Sequence, residues 1–210
     1  MSARFLVVFD VDSTLIEDEA IELLAERSGE RERVAEITDR AMRGEIDFST
    51  SLVERVATLN GLPESVLAET AALLRPTKGA AELINLIHER GGKAAAVSGG
   101  FIQLLEPLKA KLSLDFAAAN TLEVAGGKLT GKLSGEIVDR TSKANHLKKW
   151  AAELELPVAA TIAVGDGAND LAMMEVAGLS IAFCAKPKVR EAADVVLEVR
   201  DLAQIGSLLA

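Results

Sequence analysis

Asp10 and Asp12 stand two residues apart, directly after the apolar run FLVVF at 5–9. Side chains two apart on an extended segment share a face, so both carboxylates can be aimed into one pocket. Such a pair can bind a hard cation, attack as a nucleophile, or move protons. A plain Asp turn with a Ser/Thr cap would also account for DST, so the weight falls on three further motifs. Ser98, Gly99 and Gly100 follow the run AAAV, and a hydroxyl with backbone N–H groups at a strand-to-helix junction suits an anion. Lys143, in RTSKANHL near the start of a helical pattern, supplies a cation, although a lone lysine is ordinarily a solvated charge. The loop GDGAND at 165–170 follows TIAV; its glycines let a ligand approach the backbone, and Asp166, Asn169 and Asp170 offer oxygens at short spacing. It is too short for an EF-hand and lacks the closing glutamate, but it fits a magnesium half-site facing another carboxylate pair. A carboxylate pair, a hydroxyl with N–H donors, a lysine and a second acidic cluster together suit phosphoryl transfer.

These motifs need a scaffold that brings four strand ends to one edge. FLVVF, AAAV (94–97), TIAV (161–164), LSIAF (179–183) and VVL (195–197) are continuous rather than alternating apolar runs, as expected of strands buried on both faces. Helical patterns lie between them at 77–90, 101–111, 142–153, 170–177 and 188–193. The alternation predicts an α/β fold, a doubly wound parallel sheet whose ligands bind at the carboxyl edge. From about Leu15 to Arg75 there is no strand signal, only charged amphipathic segments. Residues 15–75 are therefore expected to form a helical cap inserted after the first strand, with 1–14 and 76–210 making the α/β core. In NTLEVAGGKLTGKLSGEIV, Gly126-Gly127 separates two short β-like runs and predicts a small hairpin.

The 210 residues are about one and a half times a typical domain, consistent with one domain carrying a large insertion. Hydrophobic residues at 49% suffice for a core. The formal charge is −9, no basic stretch interrupts it, and six Phe and one Trp give no base-stacking platform, so no nucleic-acid partner is expected. FLVVF is too short for a signal or membrane segment, and the single cysteine cannot form an intrachain disulfide. No membrane partner is expected, and the expected location is the cytoplasm, as a monomer or homodimer.

DVDSTL, SGG, Lys143 and GDGAND, in this order, resemble the four signatures of the haloacid dehalogenase superfamily of aspartate-nucleophile phosphatases. DVDSTLIEDEAIELLA, AMRGEIDFSTSLVERV, GGKLTG, VGDGANDLAMMEVAGLSIAFCAKP and the closing RDL extend the resemblance over nearly the whole chain, to the phosphoserine phosphatase branch. The resemblance implies a Rossmann-like core and Mg²⁺-dependent hydrolysis of O-phospho-L-serine through an aspartyl-phosphate, the last step of serine synthesis. It makes Asp10 the nucleophile and Asp12 the general acid/base. Mg²⁺ would be held by Asp10, the backbone carbonyl of Asp12 and Asp166, with Asn169 and Asp170 supporting the site. Ser98, Gly99 and Lys143 would hold the phosphate, Asn169 would lie in the substrate site, Glu19 would meet the substrate ammonium and Arg55 its carboxylate, and Met42 and Phe48 would close over it. Unlike some longer relatives, the chain is expected to lack an ACT-type regulatory domain ahead of the core.

His88 and His146 have no partner at metal spacing and are read as surface or capping groups. Cys184 is read as a buried thiol, and Trp150 and the Met173-Met174 pair as packing. Two other functions remain compatible with the motifs. One is action on a different small phosphomonoester, or transfer of its phosphoryl group to an alcohol. The other is a non-catalytic phosphate-binding module, which would not need a nucleophile together with an acid.

Overall fold

A computed structural model describes residues 3–209, the side chain of Met42 excepted. The strands are β1 (Leu6–Phe9), β2 (Lys93–Phe101), β3 (Phe116–Ala125), β4 (Lys128–Ser134), β5 (Thr161–Gly165), β6 (Leu179–Phe183) and β7 (Val195–Leu197). They form one seven-stranded sheet in the order β4-β3-β2-β1-β5-β6-β7. Every pairing is parallel except β3 with β4. Chain order reverses at β1, between β2 on one side and β5 on the other, and that switch point is where open α/β sheets bind ligands.

β1 shows why the apolar run is continuous. Val7 and Phe9 pack into one hydrophobic cluster, Leu6 and Val8 into another, and all four are fully buried. The first cluster is completed by Leu83, Ile84 and Ile87 of α5 (Ala80–Glu89) and by Leu104, Leu105 and Leu108 of α6 (Ile102–Leu112). The second is completed by Leu147 and Trp150 of α7 (Arg140–Glu153) and by Met173 and Met174 of α8 (Leu171–Val176). A short helix, α9 (Pro187–Ala192), precedes β7. The packing roles expected of Trp150 and the methionine pair are those observed.

Between β1 and α5 lie four helices, α1 (Ala20–Ser28), α2 (Arg31–Met42), α3 (Phe48–Ala57) and α4 (Ser65–Leu73). The two connecting segments run side by side: Ile16 bridges Pro76, Thr77 N donates to Leu15 O at 2.9 Å, and Thr77 Oγ1 donates to Thr14 O at 2.7 Å. Asp18 accepts three hydrogen bonds from Arg75, from the backbone N at 2.8 Å, Nε at 3.1 Å and Nη2 at 2.7 Å. The hairpin makes a second attachment. Gly61 N donates to Leu129 O at 2.8 Å, Leu129 N to Leu62 O at 2.9 Å, and Glu64 N to Gly127 O at 2.9 Å. Gly131, at φ +73°, permits this approach, because a Cβ there would sit 2.9 Å from the Asn60 Cβ.

Three features differ from expectation. β2 does not end at Val97 but runs through Ser98–Phe101, and α6 begins only at Ile102. Ser98 and Gly99 are therefore strand residues rather than the start of a helix. β3 begins at Phe116, and its first residues pair with β2 before its second half turns into the hairpin. Their run of alanines carries little strand propensity; pairing with the buried β2 decides the conformation. Cys184 is half-exposed rather than buried, because the chain turns there at φ 47°, immediately after β6. Among the described residues, no helix is long and apolar enough to cross a membrane.

Candidate active site

A cavity of about 580 Å³ opens over the carboxyl ends of β1, β2 and β5, between the sheet and the inserted helices. Asp10, Asp12, Gly99, Asp166 and Asn169 line it from the sheet side; Glu19, Phe48 and Arg55 line it from the helices. Ser98, Lys143 and Asp170 lie buried beneath. The side chain of Met42, expected to close over the substrate, lies outside what the structure describes.

Asp10 keeps the register of the sheet, its N donating to Val164 O at 2.9 Å, so its carboxylate sits at the strand's tip. The chain then leaves by a wide turn over 11–15, with Asp12 extended at ψ 135° and Ser13 in the left-handed region at φ 57°. That turn separates the roles of neighbouring side chains. Asp12 accepts hydrogen bonds from Ala20 N at 2.8 Å and Ser98 Oγ at 3.3 Å. Ser13 Oγ donates to Glu19 Oε1 at 2.7 Å, and Thr14 Oγ1 donates to Asp166 Oδ1 at 3.2 Å. Ser98 Oγ also accepts from Gly100 N at 2.7 Å. Gly99 lies so near Phe48 that a Cβ would meet the far end of the ring at 2.8 Å, so a side chain here would push Phe48 back.

Lys143 sits in the first turn of α7, whose start is fixed by Asp139 accepting from Ser142 N at 2.8 Å. Its Nζ donates to Asp10 Oδ1 and, at 2.7 Å, to Asp170 Oδ1. Asp170 Oδ2 accepts from Gly167 N at 3.0 Å and Asp166 N at 3.2 Å, so both of its oxygens are committed. Among the described residues, no hydrogen bond reaches Asp10 Oδ2, which leaves that oxygen available.

Asp10, Asp166 and Asp170 each place a carboxylate oxygen within 4.8 Å of the other two. Lys143 binds two of these carboxylates, and Lys186 opposes the charge of the third, Asp166, from farther off. Burial, with Asp170 and Asp166 nearby, outweighs Lys143 and pushes the Asp10 carboxyl well above its usual range. Asp166 is raised to about 6 by burial and by Asp170. Burial works against the Lys143 charge, but Asp10 and Asp170 outweigh it and hold its pKa above normal. The donor set is hard, oxygen-only and short of positive charge, which fits a small divalent cation. Asp12 is raised to about 6 by burial and by the charge on Glu19, which allows it to hold or release a proton near neutrality.

The residues singled out from sequence, Met42 excepted, thus converge on one cavity and its floor. Sequence reasoning missed Asn120, whose Nδ2 donates to Gly99 O at 2.9 Å and whose Oδ1 accepts from Val138 N at 2.8 Å, tying β2 to the entry of α7. It also missed Thr14, and Arg140 and Lys186 at the cavity's lining. Thr14 alone carried a signal, lying between two singled-out carboxylates and a cap. His88 binds Asp115 through Nε2 at 2.9 Å, and His146 packs on Trp150 with ring centroids 5.1 Å apart; neither reaches the cavity.

Residues 7–175 match the model of the haloacid dehalogenase-like hydrolases. The phosphoserine phosphatase of Streptomyces coelicolor is 52% identical over 99% of this chain, which spans half of that protein's length. The phosphoserine phosphatase of Streptococcus thermophilus is 50% identical over 97% of this chain and 95% of its own. A solved phosphoserine phosphatase with a phospho-aspartyl intermediate analogue superimposes with a TM-score of 0.93, at 43% identity over 99% of this chain and 100% of that one. A substrate-bound phosphoserine phosphatase gives a TM-score of 0.93 at 42% identity, covering 100% of both chains.

Proposed function

Because the chain belongs to the haloacid dehalogenase-like hydrolases, we propose that it hydrolyses O-phospho-L-serine to serine and phosphate, with Mg²⁺, through a phosphoryl group carried on Asp10. The observation that carries the reading is the buried charge imbalance. A nucleophilic carboxylate is oriented by Lys143 through one oxygen while its other oxygen stays available, beside carboxylates that one lysine does not neutralise.

In this reading residues 15–75 are the cap and the remainder the core. Asp10, the Asp12 carbonyl and Asp166 hold Mg²⁺, and Asp170, already hydrogen-bonded at both oxygens, supports them with Asn169. The ion supplies charge stabilisation for the phosphoryl oxygens. Ser98, Gly99 and Lys143 position the phosphate, and Asn169 adds a polar group on the same side. Asp10 Oδ2 attacks phosphorus while the Asp12 carboxyl gives its proton to the departing seryl oxygen, which is a poor leaving group as an alkoxide. Asp12, now deprotonated, takes a proton from the water that cleaves the aspartyl-phosphate. Glu19 meets the ammonium, Arg55 meets the carboxylate, and Phe48 closes against Gly99.

Phosphate release from phosphoserine, with EDTA and then with Mg²⁺ restored, tests this directly. Activity should be lost and regained, and Asp10→Asn should lower turnover on the order of a thousandfold or more with an unchanged circular dichroism spectrum. Full activity in metal-free buffer, or normal turnover by the folded variant, overturns the mechanism. Slower release from phosphoserine than from phosphothreonine and phosphoethanolamine overturns the substrate.

A further inference from the structure

We propose that Arg200, outside the cavity and near the chain's end, is a specificity-positioning residue that sets the Glu19 carboxylate through Ser13. Its Nη1 donates to Ser13 O at 2.9 Å across 187 residues of sequence. Arg200 is exposed, yet its guanidinium has a seat: its carbon lies 5.9 Å from the ring centroid of the fully buried Phe183. The segment carrying it is pinned, since Leu202 N donates to Lys78 O at 2.8 Å and Asp201 pairs with Lys78 at 2.8 Å.

What Arg200 holds is the one non-glycine residue of the 11–15 turn with positive φ. A serine in the left-handed region persists only where its surroundings hold it. Ser13 N reaches Asp18 O at a long 3.4 Å, and the neighbours of Ser13 are restrained independently: Asp12 by Ala20 N and Ser98 Oγ, Thr14 by Thr77 Oγ1 at its carbonyl. Ser13 O has Arg200 as its hydrogen-bond donor, and Ser13 Oγ is the hydrogen-bond donor found on the Glu19 carboxylate. Releasing Ser13 therefore leaves the reacting groups in place and unsettles the group read as the contact to the substrate ammonium. The inference rests on that reading of Glu19.

The test compares phosphoserine with p-nitrophenyl phosphate, which has no ammonium, in Arg200→Ala, Arg200→Lys, Ser13→Ala, the Arg200→Ala/Ser13→Ala pair, and Glu19→Gln. Arg200→Ala should lower kcat/KM for phosphoserine about tenfold, mainly by raising KM, and change p-nitrophenyl phosphate hydrolysis by less than about twofold. Lysine, which can still donate to the carbonyl, should restore part of the loss. The double variant should be no worse than the more damaged single one, since both act along one path. Equal losses on both substrates would make Arg200 a general structural support, and no loss would make it a solvated surface contact; either overturns the proposal. If Glu19→Gln impairs phosphoserine while Arg200→Ala does not, only the positioning role fails. If neither impairs it, the reading of Glu19 fails first.

Discussion

Lys143 and Arg55 both bring positive charge to the cavity, one from the core side and one from the inserted helix α3, and they are held in opposite ways. Lys143 is 1% exposed and bound to two carboxylates. Arg55 is half-buried; its Nε donates only to Ser51 O one turn earlier, at 3.3 Å, and among the described residues no carboxylate lies within ion-pairing distance of it. Burial lowers the Arg55 pKa, with Glu19 and Asp12 opposing from farther off. The core side is thus assembled in advance, its charges set against one another, and the helical side offers a charge still short of a partner. Reacting groups need fixed geometry before substrate arrives, whereas a recognising group gains most by completing its hydrogen bonds on the ligand.

The difference is broken most forcefully at Lys143. Lys143→Met should lower kcat on the order of a hundred- to a thousandfold on every phosphate ester alike, as loss of one preorganised donor does elsewhere. It should also cost about 3–5 kcal/mol of stability, because it leaves buried carboxylates uncompensated. Denaturant unfolding and phosphate release on the same sample check both, and a variant as stable as the parent would contradict the preassembled charge cluster.

Arg55→Ala should do the reverse, sparing stability and changing selectivity. For phosphoserine kcat/KM should fall about ten- to a hundredfold, and for phosphoethanolamine, which lacks the carboxylate, by less than about twofold. Arg55→Lys should recover only part, since an ammonium lacks the planar fork. Parallel losses on both substrates would mean that Arg55 acts on the fold and not on the ligand.

The smallest effect belongs to the joint between the two sides. Burial alone would raise the Asp18 carboxyl, but the Arg75 hydrogen bonds outweigh it and hold the pKa below the ordinary 3.8. A carboxylate depressed in the folded state stabilises above its unfolded pKa, and that contribution is lost as pH falls through the folded value. Asp18→Asn should therefore lower Tm by about 2–4 °C at pH 7, with the gap to the parent closing below about pH 4. A gap that stays constant across the range would deny the ion pair its role.

The strands beneath the cavity were legible because each is a short apolar run with the singled-out residues immediately behind it, so locating the run located the residues at the cavity's floor. β1, β5, β6 and β7 lie where their runs lie. Less legible were segments whose composition says little by itself. Phe116–Ala119 is mostly alanine and becomes a strand only beside β2, and the glycines of Ser98–Phe101 continue a strand that they would ordinarily end. Arg200 and Asn120 could not be found at all, because their partners are 187 and 18 to 21 residues away and the intervening sequence carries no period linking them.

The sequence by itself determined which candidate groups stand behind each apolar run, since residue type, two-residue spacing and the glycines beside them are local properties; their order across the sheet, β2-β1-β5, came from the fold. The sequence did not determine which carboxylates are committed and which remain open. Asp10, Asp166 and Asp170 are alike as residues; only the fold gives Lys143 to Asp10 and Asp170, two backbone N–H groups to the other oxygen of Asp170, the Thr14 hydroxyl to Asp166, and an oxygen without a hydrogen bond among the described residues to Asp10. The same holds for Glu19 and Arg55, ordinary charges on amphipathic helices until α1 and α3 carry them to the cavity. A charge's meaning depends on its burial and on the charges nearest to it, and both are set by contacts between distant parts of the chain.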